Sequence, residues 1–257
     1  MTSRRAFLRA ATGGAVVGAC AGPAPAPSLE ALDGSRQLVL GPTAEFDPAR
    51  PPEGWSLVRP EAGAGFATVA IAGRPALRID APAGATLARA TDARLLATPF
   101  ISWAWSLETP LYGGGPGDGL QRGLRLVVGF RGGARSDILS PEGWFRSDRG
   151  FPAHDRRLEI ALGGVGAARP EFASIELAAV PEAGQRRLLR GPVPAPTQTG
   201  GWHQETADLA ALYRGFWPGD RAVDAAIAFV GIGGLPARLP DGVPPTIGHV
   251  VEIQLTR

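Results

Sequence analysis

The chain has no lysine and no asparagine, and only one cysteine, one methionine and two tyrosines. All 26 basic residues are therefore arginine, a bias that a GC-rich genome explains without any demand from chemistry. Without lysine, no phosphate-cradling GxxxxGK loop can be written. With Cys20 alone, disulfides, CxxC redox pairs and thiolate zinc sites are excluded. The three histidines, His154, His203 and His249, form no HExxH or other spaced pair. His203-Gln204-Glu205 has the HxE spacing of a zinc deaminase, but the cysteines such a site needs are missing. No GxSxG elbow is present, and no GxGxxG opens a helix after a strand. No uncharged apolar run is long enough to span a bilayer.

What is present begins with an export signal. Ser3-Arg4-Arg5-Ala6-Phe7-Leu8-Arg9 matches the twin-arginine motif, with Arg4, Arg5 and Phe7 as its defining residues. An uncharged stretch from Ala10 to Ala19 follows, and Val16-Val17-Gly18-Ala19-Cys20 resembles a lipobox. Residues 1–19 thus read as a signal peptide, with Cys20 as the lipidation site of a periplasmic lipoprotein. The alternative is cleavage before Ala21 or a little later, giving a soluble periplasmic protein. Because Ala21 rather than an aspartate follows Cys20, the outer membrane is the expected destination in a host with two membranes.

The pI near 9.3 points to an acidic partner only while the signal peptide is counted. Its removal takes Arg4, Arg5 and Arg9 and no acid, which leaves 23 of the 26 arginines against 24 acids. No basic footprint for nucleic acid remains. Residues 20–35 are proline- and alanine-rich and read as an extended tether. Residues 36–257 read as one domain, with apolar content high enough for a real core.

The domain's runs are short and β-like: Gln37–Leu40, Trp55–Val58, Phe66–Ala72, Ala76–Asp80 and Thr86–Ala90, then Phe100–Leu107 and Leu124–Phe130. Later runs are Leu158–Leu162, Ser174–Val180, Arg187–Leu189, Val223–Ile232 and Gly248–Leu255. With 36 glycines and 25 prolines between and within them, long helices have little room. The pattern predicts an all-β fold, an antiparallel β-sandwich of jelly-roll or galactose-binding-like type. Alternation puts Trp103, Trp105 and Leu107 on one apolar face, so this run and Leu124–Phe130 are expected as the central strands of a sheet. Between them, Tyr112–Gly119 reads as a glycine-rich surface loop, and Arg190–Gly201 reads as another loop. Leu209, Leu212 and Phe216 stand at helical spacing and predict one short helix over residues 206–216, capped by Thr206 or Asp208. Trp202 and Trp217 flank it as expected staples.

The order of these features resembles the bacterial envelope proteins catalogued as domain of unknown function 3047. The matching residues are Gly54-Trp55, Pro99 with Trp103-Ala104-Trp105, Asp118 with Arg125–Phe130, and Gly200-Gly201-Trp202 before Asp208–Phe216. The resemblance covers most of residues 50–257 and implies a jelly-roll or galactose-binding-like sandwich with no established activity. Two departures stand out. Gly119 follows Asp118 where the family has a second aspartate, and Phe229–Pro236 contains no acid where the family has an acidic run. Any ion or sugar contact made by those acids is absent from this chain.

The expected function is non-catalytic binding of a glycan or other periplasmic partner, with the membrane reached through the lipid on Cys20. Trp144 lies in a polar loop with Arg146 and Asp148, where a flat indole beside planar polar groups suits a sugar ring. Asp118 and Arg125 complete the candidate ligand set. No cofactor, metal or catalytic residue is assigned. The alternative is a glycoside hydrolase or polysaccharide lyase on a jelly-roll fold, with its acid pair drawn from Glu108, Asp118, Asp137, Glu142 and Asp148. A purely structural envelope role is the third reading. Anchoring gives the first test. Cys20→Ala should move the protein from the membrane fraction to the soluble fraction, and identical partitioning of variant and wild type would refute the lipobox.

Overall fold

A computed structural model describes residues 29–30, 36–41, 46, 51–58, 65–81, 85–108, 124–133, 150–162, 171–176, 187–189, 200–234 and 246–257. The export motif, Cys20, the glycine-rich bend at Tyr112–Gly119 and most of the polar loop holding Trp144 lie outside the described residues. So does nearly all of the expected loop Arg190–Gly201.

In chain order the strands are β1 (Leu29–Glu30), β2 (Arg36–Leu40), β3 (Trp55–Val58), β4 (Gly65–Ile71), β5 (Arg74–Ala81), β6 (Thr86–Arg94) and β7 (Phe100–Leu107). They continue with β8 (Leu124–Arg131), β9 (Arg156–Leu162), β10 (Glu171–Glu176), β11 (Arg187–Leu189) and β12 (His203–Asp208). The helix α1 (Leu209–Phe216) precedes β13 (Ala226–Gly234) and β14 (Thr246–Thr256). The strands form two seven-stranded antiparallel sheets, so the chain is an all-β sandwich with one short helix.

The eleven-residue β14 organises the first sheet. Gly248–Thr256 pairs with β7 on one side, and β12 lies beyond β7. On the other side, Thr246–Val250 pairs with β5 and Ile253–Thr256 with β2, so two ribbons share one edge of a single strand. Leu29 and Glu30, inside the tether read from the sequence, pair with Leu38 and Gln37. The second sheet runs β11-β10-β9-β8-β13-β6-β3.

The two central apolar runs therefore do not pair with each other, contrary to the sequence expectation. Strand β7 is central in the first sheet and β8 in the second. Each has one unbroken apolar face: Ile101, Trp103, Trp105 and Leu107 on β7, and Leu124, Leu126, Val128 and Phe130 on β8. Side by side, those faces would point the same way and need a third layer to cover them. In opposite sheets they cover each other in one core. Gly248 of β14 marks the close approach, since a Cβ there would meet the Leu124 side chain at 2.7 Å.

Three local features differ from the sequence reading. The β4–β5 hairpin turns at Ala72 and Gly73, both in the left-handed region at φ 49° and 76°, and not at Gly73-Arg74. Residues 206–208, expected as the start of the helix, end a strand instead, because His203–Asp208 pairs residue for residue with Phe100–Trp105. The helix then starts at Leu209, with the Asp208 carboxylate accepting from the Ala211 amide at 2.8 Å. Trp217 is buried against Tyr213, Phe216 and Phe130, as a staple should be. Trp202 is not a staple, because 42% of it is exposed.

The helix closes one end of the sandwich through a buried polar cluster. Arg156 of β9 donates to both carboxylate oxygens of Asp220, at 2.7 and 3.1 Å, and the Tyr213 hydroxyl donates to Asp220 Oδ2 at 3.1 Å. Burial, reinforced by the Asp220 charge, pushes the Tyr213 phenol well above its ordinary value. Beside it, Asp155 accepts from the Gly132 amide at 2.8 Å, and burial still raises its carboxyl. At the sandwich's other flank, Arg89 of β6 donates across to the carbonyls of Leu38 and Val39 on β2. Removing one member of a buried ion pair strands the other charge. Asp220→Ala should therefore cost about 3–5 kcal/mol, against about 0.5–1.5 kcal/mol for Tyr213→Phe. Urea melts with matched m-values check this ratio, and equal losses would contradict the assigned ion pair.

Candidate functional site

Among the sequence-selected ligand residues, Asp118, Trp144, Arg146 and Asp148 lie outside the described residues. Arg125 lies on the outward face of β8 but is 3% exposed. Its Nη1 donates to Glu159 Oε1 and its Nη2 to Thr86 Oγ1, both at 3.0 Å. Arg157 Nε stands 3.7 Å from the same Glu159 oxygen. These groups link β6, β8 and β9 across the second sheet. Farther along this face, Phe151 stacks on Phe229 with ring centres 5.1 Å apart, and His154 meets Phe229 edge-on. Gly129 is required beneath, since a Cβ there would fall 2.0 Å from the Phe229 ring. The outward side of the second sheet is therefore a second, smaller core with Arg125 built into it.

The outward side of the first sheet has a different chemistry. Register aligns Ser106 of β7, His249 of β14 and Arg78 of β5 in one row. Continuing β12 by one residue sets Trp202 at the position beside Ser106. The face direction is fixed next to it, where Ser102 Oγ and Thr206 Oγ1 lie 3.0 Å apart. One row on are Glu108, whose amide donates to the Ile247 carbonyl at 2.9 Å, and Asp80. Glu108 Oε2 lies 3.6 Å from His249 Nε2 and 3.9 Å from Arg78 Nε. Arg78 Nη1 stands 3.4 Å from Asp80 Oδ2. The result is one exposed indole at a sheet edge beside the buried Ser106 and His249, with the more open Arg78, Asp80 and Glu108 beyond them. Among the five acids considered for an enzymatic pair, Glu108 alone is described. Among the described residues, the His249 ring and the Arg78 guanidinium lie within 4.0 Å of its carboxylate.

On the inward side of the same edge, Trp105 and His203 are register partners and stack with centres 4.6 Å apart. Trp103 and Glu205 form the next row. Among the described residues, the buried ring nitrogens Trp103 Nε1, Trp105 Nε1 and His203 Nε2 meet no hydrogen-bond partner, as is also true of Trp217 Nε1. The sequence reading missed both sides of this edge. Trp202 and His203 had been judged separately, and only the strand pairing of residues 203–208 shows that they flank one backbone.

No family model matches the chain, and no curated protein matches it.

The polar row has a defined pH response. Burial holds the His249 imidazole below its ordinary value of 6.5, Glu108 pulls it back up and Arg78 pushes it down again. The neutral ring is therefore the form the fold favours. Below pH 6.5 the unfolded chain takes up this proton first, so His249 lowers stability as pH falls through its folded value. In Glu108→Gln, the His249 midpoint read by NMR should fall further. A rise would show that Glu108 does not act on the ring.

Proposed function

We propose that the protein is an exported, lipid-anchored envelope protein whose β-sandwich binds glycans without cleaving them. The observation that carries this reading is the exposed Trp202 indole at the head of the Ser106, His249 and Arg78 row, with Glu108 and Asp80 beside it. An indole offers a flat apolar surface to the C–H face of a pyranose, and the adjoining carboxylates, guanidinium and imidazole suit its hydroxyls. A large apolar side chain left exposed at the edge of a polar face has little value to folding and much to recognition. The rigid sheet supplies the preorganisation: every residue of the row except Trp202 and Glu108 sits within a strand.

The same reading accommodates the first residues of the chain. Export followed by a lipid on Cys20 and a short tether would hold the sandwich close to a membrane and within reach of envelope polysaccharides. The resemblance to the envelope family of domain of unknown function 3047 agrees with that setting. The outward face of the first sheet thus joins the Trp144 loop as a candidate platform.

Glycan-array screening followed by calorimetry on residues 21–257 tests the proposal. Trp202→Ala should weaken binding at least tenfold, about 1.4 kcal/mol, while leaving the melting temperature nearly unchanged because the ring is exposed. Full affinity in Trp202→Ala would remove this face from the reading. Release of shorter sugars from the bound glycan would replace binding by the hydrolase or lyase alternative.

A further inference from the structure

The outward face of the first sheet holds one of its acids unusually loosely. Several acids elsewhere close on an arginine at hydrogen-bond length: Glu252 with Arg36 at 2.7 Å, Asp92 with Arg131 at 2.6 Å and Asp220 with Arg156 at 2.7 Å. Glu108 does not close. Its Oε2 stands 3.6 Å from His249 Nε2 and 3.9 Å from Arg78 Nε, both beyond hydrogen-bond length. The Arg78 guanidinium is nearer to Asp80, at 3.4 Å. The Glu108 side chain is 53% exposed and that of His249 only 9%, so a ligand reaching this face meets the carboxylate before the imidazole.

One carboxylate oxygen is thus shared between a fixed cation and a ring that becomes a cation on acidification. Among the described residues, the charged groups around His249 are Glu108 just after β7, and Arg78 and Asp80 on β5. Farther along β14 itself, Glu252 is held by Arg36 of β2. On the β12 side, Trp202 and Gln204 carry no charge. We infer that Glu108 is the acceptor for the glycan's hydroxyls on this platform and that His249 governs its availability, so that acidification releases the ligand. This rests on the binding role proposed above for the same face. The physical reason is competition. A neutral ring asks little of Glu108, whose oxygens then accept from sugar hydroxyls. A proton on so buried a ring must be balanced nearby, and Glu108 is drawn toward it. A sugar covering the ring also strips water from the imidazolium, which acts in the same direction. Burial, opposed by Glu108 and aided by Arg78, already holds the ring below its ordinary value, so the acceptor stands open at neutral pH. Proton and ligand therefore oppose each other, and by linkage each weakens the other by the same factor.

Calorimetric titration of residues 21–257 with chitotetraose, cellotetraose and maltotetraose, repeated between about pH 8 and about pH 5, tests the inference. For a tetrasaccharide that binds at the upper end, affinity should fall at least about fivefold on the acid side, around the His249 midpoint read by NMR. The same tetrasaccharide should lower that midpoint, a readout that needs no variant. His249→Gln and Glu108→Gln should each flatten the profile, whatever their affinity at the upper end. Trp202→Ala should weaken binding by one factor at every pH, because an indole does not titrate. A flat wild-type profile, an unmoved His249 midpoint, or an acid-side loss that survives in His249→Gln overturns the inference and leaves the platform standing. Full affinity in Trp202→Ala, or no binding of any of the three, removes the platform and the inference with it.

Discussion

Everything in this sandwich depends on two strands facing each other across its interior. Strand β7 places Ile101, Trp103, Trp105 and Leu107 inward, and β8 replies with Leu124, Leu126, Val128 and Phe130. Gly248, beside Leu107 on β14, leaves room for the Leu124 side chain to reach across. Burying two apolar faces against one another is the dominant favourable term in such a fold. The same requirement decides the topology, because it sends the two central runs to different sheets.

Once the sheets face each other, their margins need closing, and the chain does this with arginine. At one flank Arg89 reaches from β6 to backbone carbonyls of β2, so a cation on the second sheet satisfies acceptors on the first. At the helical end Arg156 holds Asp220 in a two-point pair beneath the Trp217 ring, 5.8 Å away. The planar guanidinium suits both places, since it can bond in its plane and stack on its face. A lysine ammonium could do the first but not the second. The arginine-only composition that a GC-rich genome explains is thus put to structural use.

Most of the strands were legible because their apolar residues alternate or run together between glycines and prolines. Trp55–Val58 and Phe100–Leu107 begin and end where the sequence pattern says. The missed strand is instructive. His203-Gln204-Glu205-Thr206-Ala207-Asp208 has almost no apolar residue, so no period could be read from it. It is a strand because β7 offers it an unpaired edge, a property of the assembled sheet and not of the segment. The pairing of β7 with β8 was misjudged for a related reason. Sequence proximity favours a hairpin, but a two-faced core demands that equally apolar faces oppose each other. The site was less legible still, since Trp202, Ser106, His249 and Arg78 span 172 positions of the chain and only register collects them.

The missed strand begins beside Trp202, the head of the proposed platform, and strand geometry explains how it serves two faces. Successive residues of an extended chain point to opposite sides of a sheet, so Trp202 and His203, though adjacent, serve opposite faces. In a central strand one of those faces would be closed by the core. At an edge, the inward face opens toward solvent at the margin and the outward face is already wet. An edge strand with a polar sequence contributes little to the core, and its side chains are correspondingly free to be chosen for ligands. Among the described residues β12 has no strand beyond it, and the exposed Gln204, Thr206 and Asp208 oppose aggregation along that edge. One short strand can therefore present an indole outward and an imidazole inward at small cost to the fold, with the rigidity of both inherited from β7.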